Sequence, residues 1–214
     1  MRESVMNPLM KWCKNKLKEF SLAYQKIKLK NSIKVAGKSL RIIIGAGITK
    51  QDGWISTNYP LLDLTKANTF LEIFPQRNVD VFFAEHVWEH LNIENGLLAL
   101  TNCYQHLQSG GKLRIAVPDG FHKDKKYILD VEPGGTGSGS EDHKVLYNYR
   151  LLSSALENAG FQVILLEWFD EHGVFHFEDW DIEDGLVRRS TRFDDRNHDN
   201  PTTYTSLIID ALKP

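Results

Sequence analysis

The sequence predicts one α/β domain, a doubly wound and mostly parallel sheet with a basic helix added at its amino terminus. Three observations lead there. Short apolar, β-branched runs alternate with segments of helical periodicity, the rhythm of a sheet built by crossover connections. The first such run, "KSLRIIIGAG" at 38–47, is broken by glycines at a tight turn. The 214 residues suffice for one sizeable core and are too few for two comfortable ones. Residues 1–38 are read as the added helix and 39–214 as the domain.

Taken in order, the amino-terminal segment places Met6, Leu9, Met10, Cys13, Leu17, Phe20, Tyr24 and Ile27 at every third or fourth position, one apolar stripe on a helix. Residues 1–41 carry 11 Lys/Arg against Glu3 and Glu19 only, whereas the remainder carries 15 against 26 acids. The favoured reading is a lid helix whose stripe packs on the domain while its lysines are solvated. A weak membrane-surface contact is the functional alternative, and no nucleic-acid partner is expected.

"KSLRIIIGAG" reads as a buried strand ending in a turn, "GWISTN" at 53–58 as a short second strand and "FLEIF" at 70–74 as a weaker third. "VDVFFAE" at 79–85 is a clear fourth. A helix follows, with Asn92 as N-cap, Leu97, Leu100, Tyr104 and Leu107 on one face, and Gly110-Gly111 as its stop. "KLRIAVPD" at 112–119 is another buried strand, and the Gly/Ser-rich 132–142 is read as a mobile loop, a candidate gate. Asn148 opens a helix carrying Leu152, Ala155, Leu156 and Ala159, closed by Gly160, before the strand "FQVILLEWF". "DWDIEDG" and "RRSTRFDDR" read as a solvated insertion, with a substrate wall or subunit contact as the lesser reading, and "SLIIDALKP" closes the sheet.

Composition narrows the class. Hydrophobic residues at 42% and charged residues at 25% are ordinary for a soluble globular protein, and no run approaches the roughly 18 apolar residues of a membrane span. Cys13 and Cys103 lack the spacing of a metal knuckle or redox pair. With no apolar leader at the amino terminus, a cytoplasmic location is expected.

In sheets of this kind ligands bind beyond the carboxyl ends of the strands. Three chemically rich segments fall there, Gly45-Ala46-Gly47, Glu85 to His90 and Pro118-Asp119, and should converge on one cleft. Gly45 and Gly47 allow a sharp turn and close approach of a ligand to the main chain. A dinucleotide site would want a third glycine at position 50, which is Lys.

The order "IIIGAG", "GWISTN", "LLDLTKANTF", "VDVFFAEHVWEHL", "GGKLRIAVPD", "EDHKVLYNYRLLSSALENAGF" and "SLIIDALKP" resembles the class I S-adenosylmethionine-dependent methyltransferases. More narrowly, it looks like the small bacterial methyltransferases of the type 11 group, many of them linked to surface-glycan and other biosynthetic clusters. The resemblance covers about residues 39–214 and implies a Rossmann-like seven-stranded sheet whose last strand is antiparallel. It implies S-adenosylmethionine as methyl donor and a small-molecule or glycan-precursor acceptor, sugar-like and hydroxylated. Gly45, Ala46 and Gly47 would face the methionine part of the donor, Asp63 and Leu64 the adenine, and Glu85 and His86 the sulfonium side. Where the family places an acid for the ribose hydroxyls, this chain has Asn58, which gives up a charge-assisted bond.

Methyl transfer to a hydroxyl needs a base, and His86 and His143 are the candidates; Tyr147 could orient one of them. No metal is expected. Two other readings stand beside the enzyme: a non-catalytic binding or scaffold protein of the same fold, and a zinc hydrolase using His86, Glu89 and His90 in their His-x-x-Glu-His spacing. An oligomer is compatible with all three.

Overall fold

A computed structural model describes residues 8–37, 39–76, 78–197 and 202–214. Its elements are helix α1 (Pro8–Val35), strands β1 (Arg41–Ile44) and β2 (Ile55–Ser56), helix α2 (Ala67–Ile73), strand β3 (Val79–Glu85), helix α3 (Ile93–His106), strand β4 (Leu107–Pro118), helices α4 (Lys125–Val131) and α5 (Tyr149–Asn158), and strands β5 (Gln162–Phe169), β6 (Phe175–Phe177) and β7 (Ser206–Leu212). The seven strands form one sheet in the order β2-β1-β3-β4-β7-β5-β6. Strands β2, β1, β3 and β4 run parallel, and β7 is antiparallel to both β4 and β5. The fold is thus the Rossmann-like α/β sheet with an antiparallel last strand.

One strand differs from expectation. "FLEIF" lies in and just after α2, because Phe70, Ile73 and Phe74 recur at helical spacing and all three are buried on one side. The seventh strand is instead β6, which forms a hairpin on β5 with Glu167 opposite Phe177. Helices α3 and α5 start where read: the Asn92 and Asn148 side chains accept from the backbone N–H groups of Asn95 and Asn148's third neighbour, Leu151. Helix α3 ends at His106, ahead of Gly110.

Strand pleating sends alternate residues to opposite faces. On one face Ile42, Ile44, Phe82, Ile115 and Ile209 meet Leu29, Phe70, Leu100 and Leu156 from helices α1, α2, α3 and α5. On the other, Ile43, Phe83, Ala116, Leu166 and Ile208 meet Trp180 and Val187. The stretch read as a solvated insertion is therefore the second covering layer, with Ser190 and Asn197 also buried. Charge hid this, because its anchors are buried ion pairs. Arg114 grips Asp210 at 2.7 and 2.8 Å while donating to the carbonyls of Asp181 (2.6 Å) and Gly185 (2.9 Å). Glu167 accepts from Trp180 Nε1 and the backbone N–H of Thr191.

The stripe of α1 does not pack on the domain. Leu29 is buried with Ile33 beside it, and Lys26 and Lys30 pair with Glu72. Met10, Cys13, Leu17, Phe20, Tyr24 and Ile27 are all exposed, and at 3.6 residues per turn they lie roughly half a turn away from Leu29 and Ile33. Met6 lies outside the described residues, as does the side chain of Leu9. The 132–142 segment is not a free loop: Gly137 N–H bonds the Asp130 carbonyl, Thr136 N–H that of Leu129, and Gly134 N–H that of Ser140. A Cβ on Gly137 would meet the Asp130 carbonyl oxygen at 2.5 Å, so the tight packing needs glycine there.

Asp119 is fully buried and accepts from the backbone N–H groups of Phe121 and Phe169, so it ties the end of β4 to that of β5 and does not line the cleft. Burial pushes its carboxyl up to about 6 against the two hydrogen bonds that lower it. Between the ordinary carboxylate value and about 6, the folded chain keeps a proton that the unfolded chain has released. Stability from this group is therefore fully present below about pH 4 and lost as pH rises through 6, by about 3 kcal/mol. Relative to wild type, Asp119→Asn should lose that decline, read from urea midpoints at pH 4 and pH 7; parallel profiles would refute it.

Candidate functional site

Three adjoining cavities share His86 at the carboxyl ends of the parallel strands. One, of about 260 Å³, is lined by Gly45, Ala46, Gly47, Glu85, Arg188 and Arg189 among others. The second, about 270 Å³, has Tyr59, Leu62, Asp63, Leu64, Val87 and Leu91 in its walls. The third, about 360 Å³, is polar, with Asp130, Ser138, His143, Arg189 and Tyr204 facing it. Every predicted site residue except Asn58 lines at least one of them.

The glycine turn is shaped for close approach. Gly45 and Gly47 have φ of 59° and 56°, a left-handed region that favours glycine, and a Cβ on Gly45 would meet Val87 Cγ2 at 2.6 Å. Asn58 explains why this turn holds its form: its Oδ1 accepts from Gly47 N–H at 2.7 Å and its amide donates to the Gly47 carbonyl at 3.2 Å. The amide that replaces the expected acid is thus bonded on both sides to the turn. Asp63 accepts from Thr65 N–H and Oγ1, and Lys66 Nζ lies 3.1 Å away. Burial pushes its carboxyl up, but these bonds and the lysine outweigh it and leave the group below its usual range.

Glu85 ends β3 and accepts from Arg189 N–H at 2.8 Å and Arg188 Nε at 3.3 Å. It therefore positions the two arginines that wall the first cavity. Arg189 is fixed from its other side too, since Ser206 N–H donates to its carbonyl. The sequence offers a wall only as the lesser reading of the stretch that holds these arginines; Trp180 and Val187, apolar residues amid charge, are the sign that it is packed.

His86 has φ of 55°, the one non-glycine residue with positive φ among those described. Left-handed backbone at such a residue is uncommon and persists where surroundings fix it. Here the His86 N–H bonds the Ala116 carbonyl, Nε2 lies 3.0 Å from Ser206 Oγ, and Nδ1 lies 2.8 Å from Glu89 Oε1. Both ring nitrogens are engaged, and the side chain is 9% exposed. Trp88–His90 is a single 3-10 turn and not an α-helix, so the His86/Glu89/His90 ligand set of a zinc hydrolase does not form. Glu89 is 1% exposed. Burial pushes its carboxyl up, and the charge of His86, with a smaller contribution from His90, brings it below its usual range.

His143 is disposed differently. Its Nδ1 lies 2.7 Å from the Val131 carbonyl. A carbonyl only accepts, so Nδ1 carries the proton and Nε2 the lone pair. Tyr147 is buried beside Gly96, away from the cavities, and burial pushes its phenol up to about 12. Among the described residues, none of helix α1 lines the three cavities; Lys30, Ile33 and Lys34 line another, with Leu40 and Phe74, at the opposite end of β1.

No family model matches the chain, and no curated protein matches it. Among solved structures it is similar to a chain of the complex between the Haloferax volcanii Trm112 methyltransferase activator and the putative methyltransferase, at 13% identity over 99% of this chain and 100% of that one, with a TM-score of 0.50. It is also similar to a SAM-dependent methyltransferase from Archaeoglobus fulgidus, at 17% identity over 89% and 92% with a TM-score of 0.44. A third is Haemonchus contortus phosphoethanolamine N-methyltransferase 2 in complex with S-adenosyl-L-methionine, at 13% identity and a TM-score of 0.46, where the match covers 89% of this chain and 52% of that one. At such identities the likeness is one of fold.

Proposed function

We propose that the chain is a class I S-adenosylmethionine-dependent methyltransferase of the type 11-like kind, acting on a small hydroxylated, sugar-like acceptor. The observation that carries this reading is the junction at His86 of two cavities fit for the two ends of the donor with a third, polar cavity across from them. When bound, the donor supplies an electrophilic methyl group on a sulfonium. Gly45 to Gly47 leave room for its methionine part, and Arg188 and Arg189 offer charge to its carboxylate. Leu62, Leu64 and Leu91 give apolar walls for the adenine, beside the Asp63 carboxylate. Asp130, Ser138 and Tyr204 suit hydroxyl groups of an acceptor.

His86, with both ring nitrogens held, is proposed to shape the wall at the reacting centre. The proton of the acceptor hydroxyl is then taken at His143 Nε2, the ring nitrogen left with a lone pair. A methyltransferase-fold protein without turnover would bind donor and transfer nothing to any hydroxylated acceptor.

Calorimetry with S-adenosylmethionine and its demethylated product tests the donor site. Asp63→Ala should weaken binding about tenfold, the worth of one charge-assisted hydrogen bond. Asn58→Asp should not tighten it, because a carboxylate would face the Gly47 carbonyl in place of a donor. Absence of binding to either nucleoside would sink the enzyme reading.

We further propose that the exposed stripe of α1 meets an anionic lipid surface. Leu17, Phe20 and Tyr24 face away from the domain, and Lys14, Lys16 and Lys28 flank them with Glu19 as the only acid of the helix. A basic helix with an apolar arc suits a negatively charged interface, and no helix among the described residues is long and apolar enough to cross a membrane. Wild type should sediment with phosphatidylglycerol vesicles and not with phosphatidylcholine vesicles, and Leu17→Glu/Phe20→Glu should remain in the supernatant. Equal recovery of both proteins from the anionic vesicles refutes the contact.

A further inference from the structure

We propose that Glu89, His90 and His143 hold a divalent transition-metal ion, zinc by the character of the donor set, between the second cavity, which His90 lines, and the polar cavity, which His143 lines. One ligand atom from each lies within 4.8 Å of the others. Two imidazoles and a carboxylate are a known zinc set that leaves an open position for water or substrate.

Three features point to an ion here and not to a chance cluster. Glu89 is buried, and its Oε1 meets the imidazole of His86 at 2.8 Å while Oε2 has no hydrogen bond. A buried carboxylate oxygen left without a partner is costly, and a cation on the side away from His86 would satisfy it. His143 is already in the tautomer a ligand needs, because Val131 fixes the proton on Nδ1 and frees Nε2, the outer partner usual for metal-bound histidine. The ligand segments are clamped together: the backbone N–H groups of Lys144 and Val145 donate to the Glu89 carbonyl at 2.6 and 3.2 Å.

Zinc bonds to nitrogen and oxygen run about 2.0–2.2 Å, so the three atoms must close in. His90 can supply that movement, being 34% exposed with its ring edge-on to His143 at 4.8 Å between centroids. His86 then stands outside the ligand set, between Glu89 and Ser206. Since His143 lines the polar cavity, the open position faces the acceptor, where the ion would polarise its oxygen and, by taking up the Nε2 lone pair, would replace His143 as the group that promotes loss of the acceptor proton. This role rests on the methyl-transfer reading; the binding of the ion does not.

Chelator-treated protein titrated calorimetrically with Zn²⁺, and with Co²⁺ followed by visible absorption, tests the site. One ion per chain is expected, with Co²⁺ giving the strong absorption of a four-coordinate complex. Glu89→Gln and His90→Asn should each weaken binding at least about 100-fold, whereas His172→Gln, outside the site, should not. No stoichiometric binding by wild type, or affinity unchanged in both ligand variants, overturns the proposal. Donor calorimetry on the same chelated protein separates the two readings: an ion without donor binding supports the site while removing the methyltransferase, and donor binding without an ion does the reverse.

Discussion

Arg114→Ala is expected to cost the fold about 3–5 kcal/mol, the usual loss when one partner of a buried ion pair is removed and the other charge stays behind. Arg114 is fully buried, and Asp210, its bidentate partner, is 3% exposed. Lys112 Nζ, 2.9 Å from Asp210, keeps part of the compensation, which argues for the lower half of the range. The two carbonyls of Asp181 and Gly185 would also lose their donor, and the guanidinium would no longer lie 5.0 Å from the Trp180 ring. Since this stretch leads directly into Arg188 and Arg189, donor affinity should fall with stability. Urea unfolding measures the first and calorimetry the second. Arg114→Met/Asp210→Leu, which removes both charges, should regain most of the stability. A loss below 1 kcal/mol in the single variant would show that the pair does not anchor the covering layer.

Local signals made most of the sheet legible. Strands β1, β3, β4 and β7 are buried on both faces, so they appear as continuous apolar runs, and the two asparagine caps mark α3 and α5 without reference to anything distant. "FLEIF" misleads because five residues with apolar positions 70, 71, 73 and 74 fit a strand and a helical turn about equally. The covering stretch 178–197 could not be read as buried, because what buries it is pairing with Arg114, Glu167 and Glu85, residues distant in sequence. The same distance limits the site. Gly45 and Glu85 stand at recognisable strand ends, but the partner that engages His86 Nε2 is Ser206, 120 positions away. Nor does spacing say that Asn58 turns toward Gly47 and not toward a ligand.

His143→Asn is expected to lower kcat by about 10²- to 10⁴-fold, the usual worth of a positioned proton acceptor, while leaving donor affinity within about threefold. The division follows from geometry: His143 lines the polar cavity and neither of the two assigned to the donor. Asparagine can keep a donor toward the Val131 carbonyl, so loss of turnover would be traceable to the missing Nε2 and not to a loosened 140–145 segment. His86→Asn should behave differently. It removes a side chain common to all three cavities, together with its contacts to Glu89 and Ser206, so donor affinity and turnover should fall together. Single-turnover rates at saturating donor, with dissociation constants from calorimetry, distinguish the two patterns. If His143→Asn turns over within tenfold of wild type, proton removal lies elsewhere. If it instead loses donor binding, the polar cavity and the donor cavities are one site, and the division of labour around His86 fails.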